Sequence, residues 1–154
     1  MWKPFSFFIG AWKGSGHGKP GESRLERTYE FALHQKFIFI QNKSIYEPQE
    51  KNSNGEVHED WGFISYDRSR ETYVYRQFHM EGFVNQYVLE EITEERQTIS
   101  FVTESIENIP PGWIAKESYR ILGPDEFSEV FQLAAPGKHF ETYSESRFQR
   151  VRSG

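Results

Sequence analysis

The chain has 154 residues, a net charge of −5 and no cysteine. That length suits one folded domain over residues 1–154, large enough to bury a core without disulfides or a structural metal; the missing thiols exclude a disulfide scaffold and thiol chemistry. The acidic balance argues against nucleic acid and anionic membrane surfaces as partners, since both attract basic patches.

Fourteen Phe, eight Tyr and four Trp make 17% of the chain aromatic. Bulky aromatics favour strands over helices, so composition leans all-β. Pro4 to Ile9 reads as one short helical turn whose crowded Phe5, Phe7, Phe8 and Ile9 would plug a core. It is too short and too aromatic for a signal peptide, and no apolar run reaches the ~20 residues that span a bilayer, which points to a cytoplasmic protein. Gly10 to Gly18 follows as a glycine-rich strand, of the kind used at barrel bends and close backbone approaches. Strand patterns then recur over Glu22 to Leu33, Lys36 to Tyr46, Val57 to Tyr66, Glu71 to His79 and Phe83 to Glu90. They continue over Gln97 to Ile106, Trp113 to Leu122, Phe127 to Leu133 and His139 to Gln149. Turn residues separate them, Asn54-Gly55 and Pro110-Pro111-Gly112 among them. Leu89 to Arg96 has helical propensity, but strands on both sides favour a hairpin turn. Ten regularly spaced strands predict an all-β fold, a closed antiparallel ten-stranded β-barrel with a short N-terminal helical turn. Closure removes exposed sheet edges.

Phe8-Ile9-Gly10-Ala11-Trp12-Lys13-Gly14-Ser15-Gly16 joins an apolar turn to a Gly-x-Trp-x-Gly-x-Gly strand. This stretch resembles the nitrobindin family, ten-stranded barrels similar in shape to fatty-acid-binding proteins. Gly10-x-Trp12 also resembles the motif that opens lipocalin chains, where the Trp packs across the closed end of the barrel under a late-strand Arg. Arg147 and Arg150 are placed to supply that Arg, and cation–π stacking gives it a reason. Gly10, Trp12, Gly14, Gly16 and Arg150 are therefore expected to be structural.

The nitrobindin resemblance implies haem held by a last-strand histidine and nitric oxide or peroxynitrite isomerase chemistry. The matching position here is near Tyr143, with His139 four residues earlier, so either would serve as the axial ligand. Resemblance to fatty-acid-binding barrels implies instead that Arg147 and Tyr143 share a face and hold a ligand carboxylate.

Gly16 to Gly21 fits Gly-x-Gly-x-x-Gly, but no helix follows, so it reads as a bend and turn and not a dinucleotide site. No Gly-x-Ser-x-Gly elbow is present. Asn42-Lys43-Ser44 matches a glycosylation sequon that a cytoplasmic location makes coincidental. His17, His34, His58, His79 and His139 form no metal-ligand spacing and read as rim or surface residues. Strand parity groups Glu59 with Trp61 and Phe63, Glu117 with Trp113 and Tyr119, and Glu129 with Phe127 and Phe131. Were these aromatic faces to point inward, three carboxylates would enter the barrel, with Arg76, His79, Arg147 and Tyr87 as partners. His79 and Glu81, at a polar hairpin, are also candidates for acid and base. The expected function is intracellular binding of a small, partly apolar ligand, with a haem protein or a small cavity enzyme as alternatives.

Overall fold

Glycine at the inward positions of the first strand decides how tightly the wall can be drawn. A Cβ on Gly14 would collide with the carbonyl of Arg147 and the ring of Phe148 on the strand alongside. The computed structural model describes residues 1–152. A 3-10 turn at Ser6–Phe8 leads into ten strands. These are β1 (Gly10–Gly18), β2 (Ser23–Ala32), β3 (Phe37–Tyr46), β4 (Glu56–Asp67) and β5 (Thr72–His79), then β6 (Val84–Thr93), β7 (Thr98–Glu107), β8 (Ile114–Gly123), β9 (Glu126–Ala134) and β10 (Glu141–Arg150). Each strand pairs antiparallel with its chain neighbours, and β1 pairs with β10 to close the barrel. The Leu89 to Arg96 segment resolves into the end of β6 and a turn at 94–97, because both flanks are held in one ladder. No helix among the described residues is long and apolar enough to cross a membrane.

The last strand begins at Glu141, two residues later than the pattern suggests. Gly137 adopts a left-handed φ of 72°, and the Lys138 N–H is used on the Ala135 carbonyl, so the chain rejoins the ladder only at Glu141 opposite Leu133. A register shift between Thr142 and Ser144 then inserts Tyr143 as an extra residue. Such a bulge reverses which later residues face inward.

One end of the barrel is filled by aromatic side chains. Phe127 packs edge-on to Trp12 at 4.6 Å and stacks on Phe148 at 4.8 Å. Phe5 and Phe8, from the N-terminal turn, complete the same buried cluster. Arg150 seals it. Its guanidinium lies 4.4 Å over the Trp12 ring and donates to the carbonyls of Phe7 (2.8 Å) and Ile9 (3.1 Å). The Trp12 indole N–H donates to the Phe8 carbonyl at 2.8 Å, tying the turn to the first strand. The other end, formed by the β1–β2, β3–β4, β5–β6, β7–β8 and β9–β10 connections, is open.

Candidate functional site

The inward residues of β2 are Leu25, Arg27 and Tyr29, all buried. An arginine between two apolar residues of one parity is carried into the barrel whether or not a partner waits for it. Here Glu129 of β9 waits, accepting two hydrogen bonds at 2.6 and 3.2 Å. Arg27 Nε donates to Asn42 at 2.8 Å, and the guanidinium lies 4.3 Å from the Phe148 ring. Burial alone would lower the Arg27 pKa, but the Glu129 carboxylate more than offsets it and holds the group charged.

The network runs on from Asn42, which donates to Asp60 at 3.0 Å, while Gln77 donates to the other Asp60 oxygen at 2.9 Å. Burial opposes the Asp60 charge, yet hydrogen bonds from His58 and Gln77 keep its carboxyl below the usual range. His58 stands 3.5 Å from Asp60 and 2.7 Å from Glu81. Its hydrogen bond to Asp60, against the cost of burial and with help from Glu81, raises it to about 9, so it is a cation at neutral pH. His79 faces it at 3.3 Å; burial lowers His79 to about 4 and leaves it neutral.

These groups line a cavity of ≈ 320 Å³ in the open half of the barrel. Tyr46, Phe83, Phe131 and Tyr143 form part of its wall. Beneath it, the aromatic end leaves a void of only ≈ 20 Å³. Glu117, buried on β8, also faces the cavity, and its Oε2 has no hydrogen-bond partner among the described residues. Burial, reinforced by the nearby Glu129 charge, raises its pKa well above the carboxylate range, so Glu117 is a neutral acid. A neutral carboxyl can donate as well as accept.

The cavity thus gathers Glu117, Glu129, Tyr119, His79 and Tyr143 from the residues expected to meet a ligand. Several others lie elsewhere. Glu59 and Trp61 are exposed on the outer face of β4, with Trp61 packed edge-on to the outward Phe39 at 5.4 Å. They do share a face, but it is the outer one: β3 turns Ile38 and Ile40 inward opposite Ile64 and Gly62, which sends the alternate residues out. Gly62 is inward because the Tyr75 ring occupies the space a side chain would need. Arg76, paired with Phe63, follows the same outward parity and is exposed. Trp113 precedes β8 and is exposed. Arg147 points outward beside Glu126 at 3.5 Å, because the bulge at Tyr143 breaks the parity that would have joined Arg147 to Tyr143. His139 is exposed in the connection before β10.

Haem does not fit the residues present. Of the two axial ligands that the nitrobindin resemblance implies, His139 lies off the strand, and Tyr143 lines a cavity whose floor is a charged network. The apolar half that could receive a macrocycle is filled by Phe5, Phe8, Phe101 and Phe127.

Arg27, Asp60 and Gln77 carry the network with no mark in the sequence reading, which gives Asn42 only within a sequon and His58 only as a rim or surface histidine. The alternation Leu25, Arg27, Tyr29 is a signal that would have found Arg27. Nothing comparable marks Asp60, whose strand has large aromatics on the opposite parity.

The structure of Rv2717c from M. tuberculosis is similar to this chain with a TM-score of 0.73 and 21% identity, covering 98% of this chain and 97% of that one. S-type phycobiliprotein lyase CPES from Guillardia theta is similar with a TM-score of 0.62 and 15% identity, covering 97% and 92% of the two chains. At these identities the likeness shows a shared fold, a closed antiparallel β-barrel. No protein-family model matches the sequence, and no curated protein does.

Proposed function

We propose that the protein binds, in the open half of its barrel, a small neutral or cationic molecule that is polar at one end and apolar at the other. The observation that carries this reading is the buried Glu117 Oε2, unpartnered beside a cavity of ≈ 320 Å³. Buried polar atoms are almost always hydrogen-bonded, so an orphan facing a cavity calls for a ligand group. The volume lies in the range of about 300–1,000 Å³ typical of small-molecule sites.

Charge selects the ligand class. Among the lining residues, the cations Arg27 and His58 are outnumbered by Asp60, Glu129, Glu81 and Glu56. An added anion would meet net negative charge, whereas an amine could lift the proton from Glu117 and pair with it. Tyr46, Phe83, Phe131 and Tyr143 supply apolar surface for the ligand's other end. A phycobiliprotein lyase shares the fold, and a ligand role for the open end is compatible with that kinship.

The test is an NMR screen of single-ring amines, amides and alcohols against carboxylates of matched size. Saturable binding by the neutral and cationic members is expected, at least ten-fold weaker for the carboxylates. Ser146→Phe, which fills the cavity from β10, should abolish it while the protein stays folded. Binding that survives Ser146→Phe, or no saturable binder in any class, overturns the reading.

A further inference from the structure

The β5–β6 hairpin places its tip over β4. His79 ends β5 opposite Asp60, and its N–H bonds the Phe83 carbonyl at 3.1 Å. Gly82 turns with a left-handed φ of 100° and returns its N–H to the His79 carbonyl at 2.8 Å. This tight turn holds Glu81 at the tip, and the Met80 N–H anchors it to the Glu59 carbonyl at 3.0 Å. His58 of β4, two residues before Asp60, thereby comes to lie under the tip.

We propose that His58, His79 and Glu81 form a binding site for a zinc-like divalent cation at the cavity rim. One donor atom from each lies within 4.8 Å of the other two. Three protein ligands of imidazole and carboxylate type, with a position left open, are the set used by exposed zinc sites. Two features set this cluster apart from a chance meeting of surface groups. The ring nitrogens of His58 and His79 face each other at 3.3 Å, about the edge of a tetrahedron with metal–nitrogen bonds near 2.0–2.1 Å. The rings are also held: His79 stacks on Phe83 at 4.1 Å, and Asp60, 3.5 Å from His58, is itself clamped by Asn42 and Gln77. Asp60 approaches the same His58 nitrogen, Nε2, that faces His79, and so adds negative charge beside the proposed cation.

The site shares His58, His79 and Glu81 with the cavity lining, but it does not use Glu117, which carries the small-ligand reading. The geometry favours Zn²⁺ or Co²⁺ over Mg²⁺ and Ca²⁺, which require oxygen ligands.

Untagged protein is washed with a chelator and titrated with Zn²⁺ by calorimetry, then with Co²⁺ followed by its visible absorption. One equivalent is expected to bind with release of the His58 proton to solvent, and with the intense visible bands of low-coordinate Co²⁺. His58→Ala and His79→Ala should each weaken binding at least ten-fold, and Glu81→Gln should weaken it several-fold. His17→Ala, at a histidine outside the cluster, should change nothing. Ser146→Phe should block the small ligand yet leave metal binding intact, so the two readings fail separately. Absence of stoichiometric binding at micromolar Zn²⁺, or equal affinity in wild type and the folded Glu81→Gln and His79→Ala variants, overturns the proposal. Loss of binding on His17→Ala overturns it as well.

Discussion

Arg27 and Glu129 bridge the inside of the barrel from β2 to β9, strands that are separated in the wall by β1 and β10. Gly14 and Gly16, on the β1 stretch between them, are inward positions where a Cβ would meet Arg147 and Phe148 or Ser23 and Ser146.

Both members of this pair are nearly buried, with side-chain exposures of 8% and 12%. Removing one partner strands the other charge, a loss of about 3–5 kcal/mol for buried pairs. Arg27→Met should lower stability by that order in chemical denaturation. Arg27→Met combined with Glu129→Leu should recover much of the loss, because no unpaired charge remains. Additive losses in the double variant would show that the pair is not coupled.

At the closed end, Arg150 stacks on Trp12 and donates to two carbonyls of the N-terminal turn. Lysine keeps the charge but has neither the planar fork nor the stacking face. Arg150→Lys should cost about 1–3 kcal/mol and release the turn to faster amide exchange. Arg147→Lys, on the outer face and 65% exposed, should fall within about 0.5 kcal/mol of wild type. Thermal melts of the two variants compare them directly.

Glu117 makes stability depend on pH with a defined sign. Its folded-state pKa lies above the unfolded value, so the folded state holds its proton more tightly. The stabilisation is fully present below the usual carboxylate range and declines as pH rises through that range toward the raised folded value. Glu117→Gln, which keeps a neutral donor in place, should flatten this part of the stability profile and raise stability at neutral pH. Denaturation midpoints of wild type and variant at several pH values measure the effect. A profile steeper in the variant would contradict the assignment of Glu117 as a neutral acid.

The β2–β3 connection runs through Leu33, His34 and Gln35 with φ of 51°, 57° and 59°, all left-handed. Non-glycine residues pay about 1–2 kcal/mol each for that conformation. His34 is exposed. His34→Gly should therefore raise the melting temperature, with a gain of about 1 kcal/mol after the entropy cost of glycine is subtracted. A decrease would mean that the His34 side chain contributes to the turn.

Ten strands, their turns, the N-terminal helical turn and the role of the Gly-x-Trp stretch were legible in the sequence, because turn residues and strand-forming aromatics act locally. So was the sharing of faces: Glu117 with Tyr119, and Glu59 with Trp61. What alternation does not reveal is which face is the inner one. Where aromatics occupy both parities, as in β3 and β4, the choice falls to packing between strands. Tyr75 fills the space above Gly62, Ile38 meets Ile64, and Asp60 and His58 are carried inward while Trp61 and Glu59 go out. A single inserted residue at Tyr143 likewise separates Arg147 from the cavity, and no local rule marks its place. The polar site is built from residues on six strands and a hairpin tip, far apart in the chain. Sequence by itself determined that this chain would close into an aromatic-rich barrel. Only the tertiary structure decided that half of the interior is a charged network, because the inward parity of each strand is set by its neighbours.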